Sequence, residues 1–475
     1  MNENPKEYQD PVNRRVFLTR TSVGLGVAAL SHLFQGSSTA AIPQNGILGG
    51  GHFAPKARRV IYLCTSGGPS QLETFDPKPQ LKQWDGKPIP DSVRGKQRLT
   101  TMTRSQTAFP VMASEHEFGR FGNSGQTMNV LFKEMRTIAD DMCLIRSLHT
   151  EPINHDPAVT FLQTGSPLAG RPSMGSWLSY GLGSNNSNLP AFVVLLSAGG
   201  QPVPSRYWHN GFLPSQHQGV KFRSVDDPVL YLSNPKGMSR ENRGRTIQRI
   251  SELNRLKYEQ VPDPEIEARI DAYQLAYRMQ TSVPELMDIS GESKHVLESY
   301  GAEPGKPSFA ANCLLARRLA ESGVRFIQLY DAGWDHHDGI TEGIKGKIKS
   351  VDKASAALIH DLKARGLLDD TLVIYGGEFG RTTYAQTRSK NFGRDHHPRC
   401  FSIWMAGGGV RPGITYGTTD DFGYNVAENG VHVHDLQATI LHLLGIDHEA
   451  LTYRFKGRDF RLTDVHGKVV REVLV

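Results

Sequence analysis

Carboxylate and imidazole side chains recur beside apolar runs along this 475-residue sequence. The segment DAGWDHHDGI places Asp335, His336 and His337 behind one such run, and GGEFGRT places Glu378 and Arg381 behind another. Carboxylates and imidazoles together suit zinc, manganese or iron. One such ion, or two about 4 Å apart, would support hydrolysis of a phosphate or sulfate ester.

Two further segments bring the same residue types to similar positions. The NHDP segment follows an apolar run and supplies His155 and Asp156. The GRDHHP segment precedes an apolar run and supplies Asp395, His396 and His397. The alternative for each segment is a polar surface loop or a structural histidine, since neither needs a ligand.

Alternating strands and helices are expected to position these groups. Apolar runs predict buried strands over 60–65, 142–148, 189–197, 324–330, 371–376 and 400–405. Apolar spacing and terminal glycines predict helices over 128–141, 262–280, 308–323, 344–370 and 432–446. This order predicts an α/β fold with a largely parallel central sheet covered by helices on both faces. In such sheets ligands bind beyond the carboxyl ends of the strands, so we expect the polar groups to converge there.

Composition narrows the classes of partner. The 54 Lys and Arg residues exceed the 48 Asp and Glu residues by only six, and no long basic run interleaves with aromatic residues, so no nucleic-acid partner is expected. The oligomeric state is left open. The four cysteines are scattered, with no CxxC pair, which favours buried free thiols over a disulfide framework.

The first 40 residues have the layout of an export signal. Arg14 and Arg15 precede a weakly apolar, Gly- and Ala-rich stretch, and the small residues ending at Ala40 offer a cleavage site. This resembles a twin-arginine signal peptide, which implies export to the periplasm or the extracellular space. The apolar stretch is too short and too polar for a stable transmembrane anchor; the alternative is an uncleaved amphipathic anchor.

Three regions follow from these patterns. We expect a signal peptide over 1–40, a linker over 41–56 and one large domain over 57–475. Residues at about 198–300 are rich in charge, Gln, Tyr and Asn, and are expected to form a helical or irregular insertion over the sheet.

Over nearly all of residues 57–447 the chain resembles the DUF1501 family, a secreted bacterial branch of the alkaline phosphatase and sulfatase-like superfamily that is common in planctomycetes. The segments that carry the resemblance are SGGPSQLETFDPKP, IRSLHTEPINHDPAVTFLQTG, LLARRLAESGVRFIQLYDAGWDHHD, GGEFGRT and GRDHHP. The resemblance implies a divalent metal held at the strand ends by Asp335, His337, Glu378 and a histidine of the 396–397 pair.

The chain also departs from the superfamily pattern. Phe379 takes the place of a histidine ligand, Ser66 stands where an aspartate is expected, and His155 takes the place of the nucleophile. The resemblance therefore implies attack by metal-activated hydroxide, with His155 as a further ligand, a general acid or a nucleophile. Arg381 would neutralise an anionic oxygen.

Three more groups are expected to support the ligands without binding the ion. Asp395 would orient a histidine, and Asp156 and Ser66 would lie close by. Two functions are then open. One is an exported metal-dependent hydrolase of phosphate or sulfate esters, with a sulfated polysaccharide as a candidate substrate. The other is an inactive superfamily member that serves as a binding or assembly protein in the cell envelope.

Overall fold

The computed structural model describes residues 46–197, 203–223, 228–229, 232–386 and 391–475. The expected signal peptide over 1–40, and the part of the linker before residue 46, lie outside the described residues. Among the described residues, no helix combines the length and the apolar character that crossing a bilayer requires.

The strands are short and fall into one large sheet and several two-stranded pairs. They are β1 Arg59–Thr65, β2 Phe118–Phe121, β3 Gln126–Asn129, β4 Cys143–His149, β5 Phe192–Leu196, β6 Val220–Phe222, β7 Phe326–Asp331, β8 Thr371–Gly376, β9 Gly380–Ala385, β10 Arg394–His397, β11 Phe401–Ala406, β12 Ile414–Tyr416, β13 Thr418–Thr419, β14 Val426–Glu428, β15 Val431–His432, β16 Tyr453–Phe455 and β17 Arg458–Phe460.

The helices range from single turns to long rods. They are α1 Gln71–Thr74, α2 Leu81–Trp84, α3 Asp91–Arg94, α4 His155–Thr164, α5 Met174–Leu182, α6 Arg240–Gln260, α7 Pro264–Met287, α8 Lys294–Tyr300, α9 Phe309–Glu321, α10 Ile340–Ala364 and α11 Val433–Leu443. The described residues also form 3₁₀ segments at Met135–Asp141, Ser205–Trp208, Ser215–His217, Leu368–Asp370 and Arg471–Val473.

The central sheet has the strand order β12-β4-β11-β8-β1-β7-β5-β6, with β15 also paired to β4. β1 lies between β7 and β8 and is parallel to both. β11 is antiparallel to β8 and to β4, which leaves β4 running in the same direction as β1. The carboxyl ends of β1, β4, β5, β7 and β8 therefore share one edge, and the predicted α/β fold with a largely parallel sheet is confirmed.

Helices cover both faces of this sheet because its strands are apolar on both sides. Ile61 and Leu63 of β1 belong to the apolar core that includes α9 and α10. Val60 and Tyr62 belong to the opposite core, which includes α4, α5 and α11. The buried strands carry near-continuous apolar runs for this reason. Their cysteines are buried free thiols, as predicted.

The region at about 198–300 contains elements of two kinds. The short strand β6 extends the central sheet by pairing with β5. α6 and α7 pack against each other, and a 3₁₀ turn at Ser215–His217 contacts α7. The region therefore combines a sheet extension with a helical hairpin. The predicted helix over 128–141 is wrong, because β3 ends at Asn129 and a 3₁₀ helix covers Met135–Asp141.

Candidate metal centre

Four of the predicted side chains meet beyond the carboxyl ends of the central strands. Donor atoms of His155, Asp335, His337 and His396 all lie within 4.8 Å of one another. Asp335 Oδ1 is 3.2 Å from His155 Nε2, 2.9 Å from His337 Nε2 and 3.4 Å from His396 Nε2. The Nε2 atoms of His337 and His396 are 3.0 Å apart.

These separations fit one first-row metal ion. Ligands bound at about 2.0–2.1 Å in a tetrahedron stand roughly 3.3 Å apart, close to the 2.9, 3.2 and 3.4 Å that separate Asp335 Oδ1 from the three imidazole nitrogens. His155 Nε2 is buried and makes no hydrogen bond, although Asp335 is 3.2 Å away. An imidazole nitrogen left in this way among three other donors is what a coordinating cation would satisfy.

The other ring nitrogen of each histidine faces an acceptor outside the cluster. His155 Nδ1 donates to Glu378 Oε1 at 2.6 Å, and His396 Nδ1 donates to the carbonyl of Ile153 at 2.8 Å. His337 Nδ1 donates to Gln386 Oε1. With the proton of each neutral ring on Nδ1, all three Nε2 lone pairs point into the cluster. This is the arrangement that metal-ligating histidines adopt.

Each of the four side chains lies at or near the end of a strand or helix. His155 is the first residue of α4, preceded by the extended Asn154. Asp335 and His337 lie in the loop after β7. His396 lies in β10, opposite Arg381 of β9 in an antiparallel pair. One ligand thus follows β4, two follow β7, and the fourth comes from a ribbon beyond β8.

Two glycines let the loops approach one another. Gly67 has a φ of +119°, and a Cβ built on it would lie 2.7 Å from the backbone nitrogen of Asp335. Gly68 has a φ of +63°, and its Cβ would lie 2.5 Å from the Phe379 ring. A side chain at either position would be strained and would push apart the loops after β1, β7 and β8.

Arg381 holds Asp335 in place. Its side chain is 1% exposed, and its guanidinium donates to Asp335 Oδ1 at 2.6 Å. The remaining donors reach the carbonyls of Gly67, Gly68 and Arg394. Because the described contacts occupy each guanidinium nitrogen, the structure favours a positioning role for Arg381 over direct contact with an ester oxygen.

The electrostatics of the cluster follow from these contacts. Burial would raise the pKa of Asp335, but the three surrounding histidines, together with the charge of Arg381, hold it well below its usual range. Burial would lower the pKa of His155, yet the adjacent carboxylates of Asp335 and Glu378 raise it to about 9. A proton on His155 Nε2 would have to leave before that nitrogen could bind a cation.

Glu378 lies behind His155 and outside the group of four. Its side chain is 1% exposed and accepts both the Nδ1 proton of His155 and the backbone N–H of Gly67, the latter at 3.1 and 3.3 Å. Glu378 was predicted as a ligand; in the structure it lies outside the group of four, and its carboxylate contacts the outer nitrogen of His155.

His397 points away from the centre. Its Nε2 donates to the carbonyl of Tyr424 at 2.6 Å, and its Nδ1 is 3.0 Å from Gln97. Adjacent residues of a strand face opposite sides, so His396 and His397 cannot both reach the same ion. Of the two candidates, the geometry therefore supports His396.

The three supporting residues have other partners. Asp395 accepts the hydroxyls of Thr100 and Thr103 and the backbone N–H of His396, so its carboxylate orients no imidazole ring. Asp156 lies beside His155 and accepts from Arg206 and from Tyr207 at 2.8 Å.

Ser66 contributes through its backbone: its carbonyl accepts the N–H of Trp334 at 3.4 Å. That contact ties the loop after β1 to the loop that carries Asp335. His336 lies outside the group of four, and burial lowers its pKa to about 4.

Sequence reasoning missed two supports of the site. Gln386, which accepts from His337, stands in a polar segment with no pattern to single it out. Arg394, at the start of β10, and Glu73, in α1, form a buried ion pair at 2.9 Å. Arginine and glutamate are usually surface residues, and only tertiary packing shows that these two are buried.

The described chain is thus an α/β protein with a histidine- and aspartate-lined centre at the carboxyl edge of its sheet. It belongs to the family described as "Protein of unknown function (DUF1501)", whose model matches residues 57–474. The predicted family is confirmed. None of the curated proteins matches the sequence.

Several solved structures are similar in fold. Ps i-CgsB in complex with k-i-k-neocarrahexaose has a TM-score of 0.36 and 10% identity, over 82% of this chain and 72% of that one. A protein in the alkaline phosphatase superfamily from Vibrio parahaemolyticus has a TM-score of 0.35 and 10% identity, over 89% and 74%. Alkaline phosphatase from the Antarctic bacterium TAB5 has a TM-score of 0.33 and 11% identity, over 82% and 98%. Similarity at this level carries no conclusion about activity.

Proposed function

We propose that this protein is an exported hydrolase of phosphate or sulfate esters that works with one divalent metal ion, zinc, manganese or iron. The observation that carries the proposal is the orientation of three imidazoles. The rings of His155, His337 and His396 each give their Nδ1 proton to an outside acceptor and turn Nε2 toward Asp335. Export rests on the sequence of residues 1–40 alone.

A metal ion bound there would polarise an ester oxygen and lower the pKa of a water molecule. The chain's own residues hold the centre in shape for that. Arg381 fixes Asp335, and Glu378 keeps the proton of His155 on Nδ1 so that Nε2 faces inward. His155 thus serves as a ligand in this proposal, in the place where the superfamily has its nucleophile.

The centre is open to an incoming anion. The side chains of His155, Asp335 and His337 are 22–26% exposed, whereas His396 is 5% exposed and forms the floor. One ion with an exposed side can take a fifth ligand, as zinc does in some transition states and as manganese and iron do readily.

The second candidate is a binding or assembly protein without turnover. One observation favours it: four protein ligands would fill a tetrahedral site, as they do in structural zinc centres. Catalytic zinc centres instead have three protein ligands and one open position. The four-residue set therefore supports metal binding more directly than it supports catalysis.

The test has two stages. In the first, the metal content of natively exported protein, purified without chelator, is compared for wild type, His396→Ala and His397→Ala. One equivalent of metal in wild type and His397→Ala, with loss in His396→Ala, supports the centre. Equal metal content in His396→Ala and His397→Ala would refute the proposed metal centre.

In the second stage, metal-loaded wild type is assayed on aryl phosphate and aryl sulfate esters, with His396→Ala as the control for contaminating hydrolases. Turnover that disappears in the variant supports the hydrolase. Full metal occupancy without turnover of either ester class would support the second candidate, a binding or assembly protein.

A further inference from the structure

One loop beside the metal centre carries a concentration of unpaired positive charge. Residues 95–106, GKQRLTTMTRSQ, contain Lys96, Arg98 and Arg104 and no acidic residue. These three cations are exposed, and no described carboxylate lies within ion-pair distance of them. Their three positive charges equal half of the formal net charge of the whole chain, which is +6. We call residues 95–106 the basic loop.

The basic loop is fixed to the strands that carry the centre. Gln97 is 3.0 Å from His397 Nδ1, and the hydroxyls of Thr100 and Thr103 donate to Asp395 at 2.5 and 2.6 Å. Gln106 donates to the carbonyl of Ala385 at 3.0 Å. Every third residue of the loop therefore faces inward, and the cations occupy positions between these anchors.

One side chain, that of Gln386, lies between the loop and His337. Met102 Sδ is 3.6 Å from Gln386 Nε2, and Gln386 Oε1 accepts the Nδ1 proton of His337. Asp395, which anchors two threonines of the loop, directly precedes His396. An anionic chain lying across the basic loop would reach the open side of the centre.

We propose that the basic loop is a secondary binding site for a sulfated or phosphorylated polysaccharide, which it holds beside the metal centre. A small ester anion needs one cation, whereas three cations along one loop match a chain with repeated anions, whose contacts reinforce one another. The loop contains no aromatic residue on which a base could stack, which disfavours single-stranded nucleic acid. As a description of the substrate, this inference rests on the proposed function.

The test compares two triple variants of the full chain with equal loss of charge. The first is Lys96→Gln, Arg98→Gln and Arg104→Gln. The second, a matched control, is Lys236→Gln, Arg255→Gln and Lys257→Gln, three exposed cations in and before α6. All six side chains are exposed, so both variants should fold, and their thermal unfolding is recorded to check this.

Binding to dextran sulfate, neutral dextran and single-stranded DNA is measured by titration calorimetry at low and physiological salt. We expect wild type to prefer dextran sulfate, the loop variant to bind it about tenfold more weakly, and the control to match wild type. Added salt should reduce the difference. Equal losses in the two variants would overturn the site, and DNA binding as tight as dextran sulfate would overturn the polysaccharide assignment.

Hydrolysis of a small aryl ester separates this inference from the proposed function. If the ester is turned over while the loop variant binds dextran sulfate like wild type, the basic loop is refuted and the hydrolase stands. If the loop variant loses polymer binding while no protein turns over any ester, the hydrolase fails and the loop remains a polyanion site.

Discussion

Replacing Glu378 by Gln tests the geometry of the metal centre most directly. The substitution keeps the size of the side chain and removes its charge. In the wild type, one carboxylate accepts the Nδ1 proton of His155 and the N–H of Gly67. Both donors reach Oε1, so the oxygen of the glutamine amide can accept from both, and the substitution removes the negative charge that holds the proton on His155 Nδ1.

The magnitude follows from the lost charge. Glu378 is 1% exposed, so water does not replace its carboxylate as the charged partner of His155. Changing a charged acceptor to a neutral one weakens a buried hydrogen bond by about 1–2 kcal/mol, which corresponds to about 5- to 30-fold in an equilibrium constant. Loss of a partner behind a metal-bound histidine usually weakens metal binding by about 10- to 100-fold. We expect the dissociation constant for zinc to rise by that factor.

The assay is competition with a chromophoric chelator at neutral pH. Asp395→Asn is the matched control, because Asp395 is an equally buried carboxylate that accepts from two threonine hydroxyls and from the backbone N–H of His396 but from no imidazole ring. The control should lose stability and keep its metal affinity. Folded Glu378→Gln with the wild-type dissociation constant would refute the claim that Glu378 orients a ligand.

Three further predictions concern stability. Gly67→Ala should lower the free energy of unfolding by more than about 1 kcal/mol and reduce metal retention, because its Cβ would meet the loop of Asp335; Gly49→Ala, also at positive φ but with nothing within 4 Å, should keep its metal. Glu73→Gln should cost about 3–5 kcal/mol in denaturant unfolding, since it leaves Arg394 buried without its counter-ion; a loss below 1 kcal/mol would contradict this. His217 has its pKa lowered by burial from 6.5 to about 4, so the unfolded chain binds more protons between these values. Stability should therefore fall as pH drops through that window, and less so in His217→Gln, as pH-dependent unfolding would show.

The fold was largely predictable from the sequence because its strands are buried on both sides. The largely apolar runs at 60–65 and 371–376 predicted strands, and the structure has β1 and β8 at these positions. The prediction of a helix over 128–141 was wrong. Its apolar residues are buried, but Met128 lies in β3 and Ile138 lies in the 3₁₀ segment Met135–Asp141. Helical spacing alone does not distinguish these elements over so short a stretch.

For the centre, residue type and position at strand ends selected the right segments but not every atom. Asp335, His337 and one histidine of GRDHHP come together as the pattern suggested. The sequence left His396 and His397 equivalent, and only the folded structure shows which side chain faces the other three residues of the centre. Glu378 is adjacent to the cluster, yet its place outside the group of four depends on the backbone course of the loop after β8.

The position of β1 in the sheet governs when the protein can fold. β1 emerges first, but its two neighbours are β7 and β8, and the contact between Gly67 and Glu378 joins residues 311 positions apart. At a synthesis rate on the order of 10 residues per second, an apolar strand waits roughly half a minute for its partners. Folding should be slow and dominated by long-range contacts, and the nascent chain should depend on chaperones until the segment after β8 has been made.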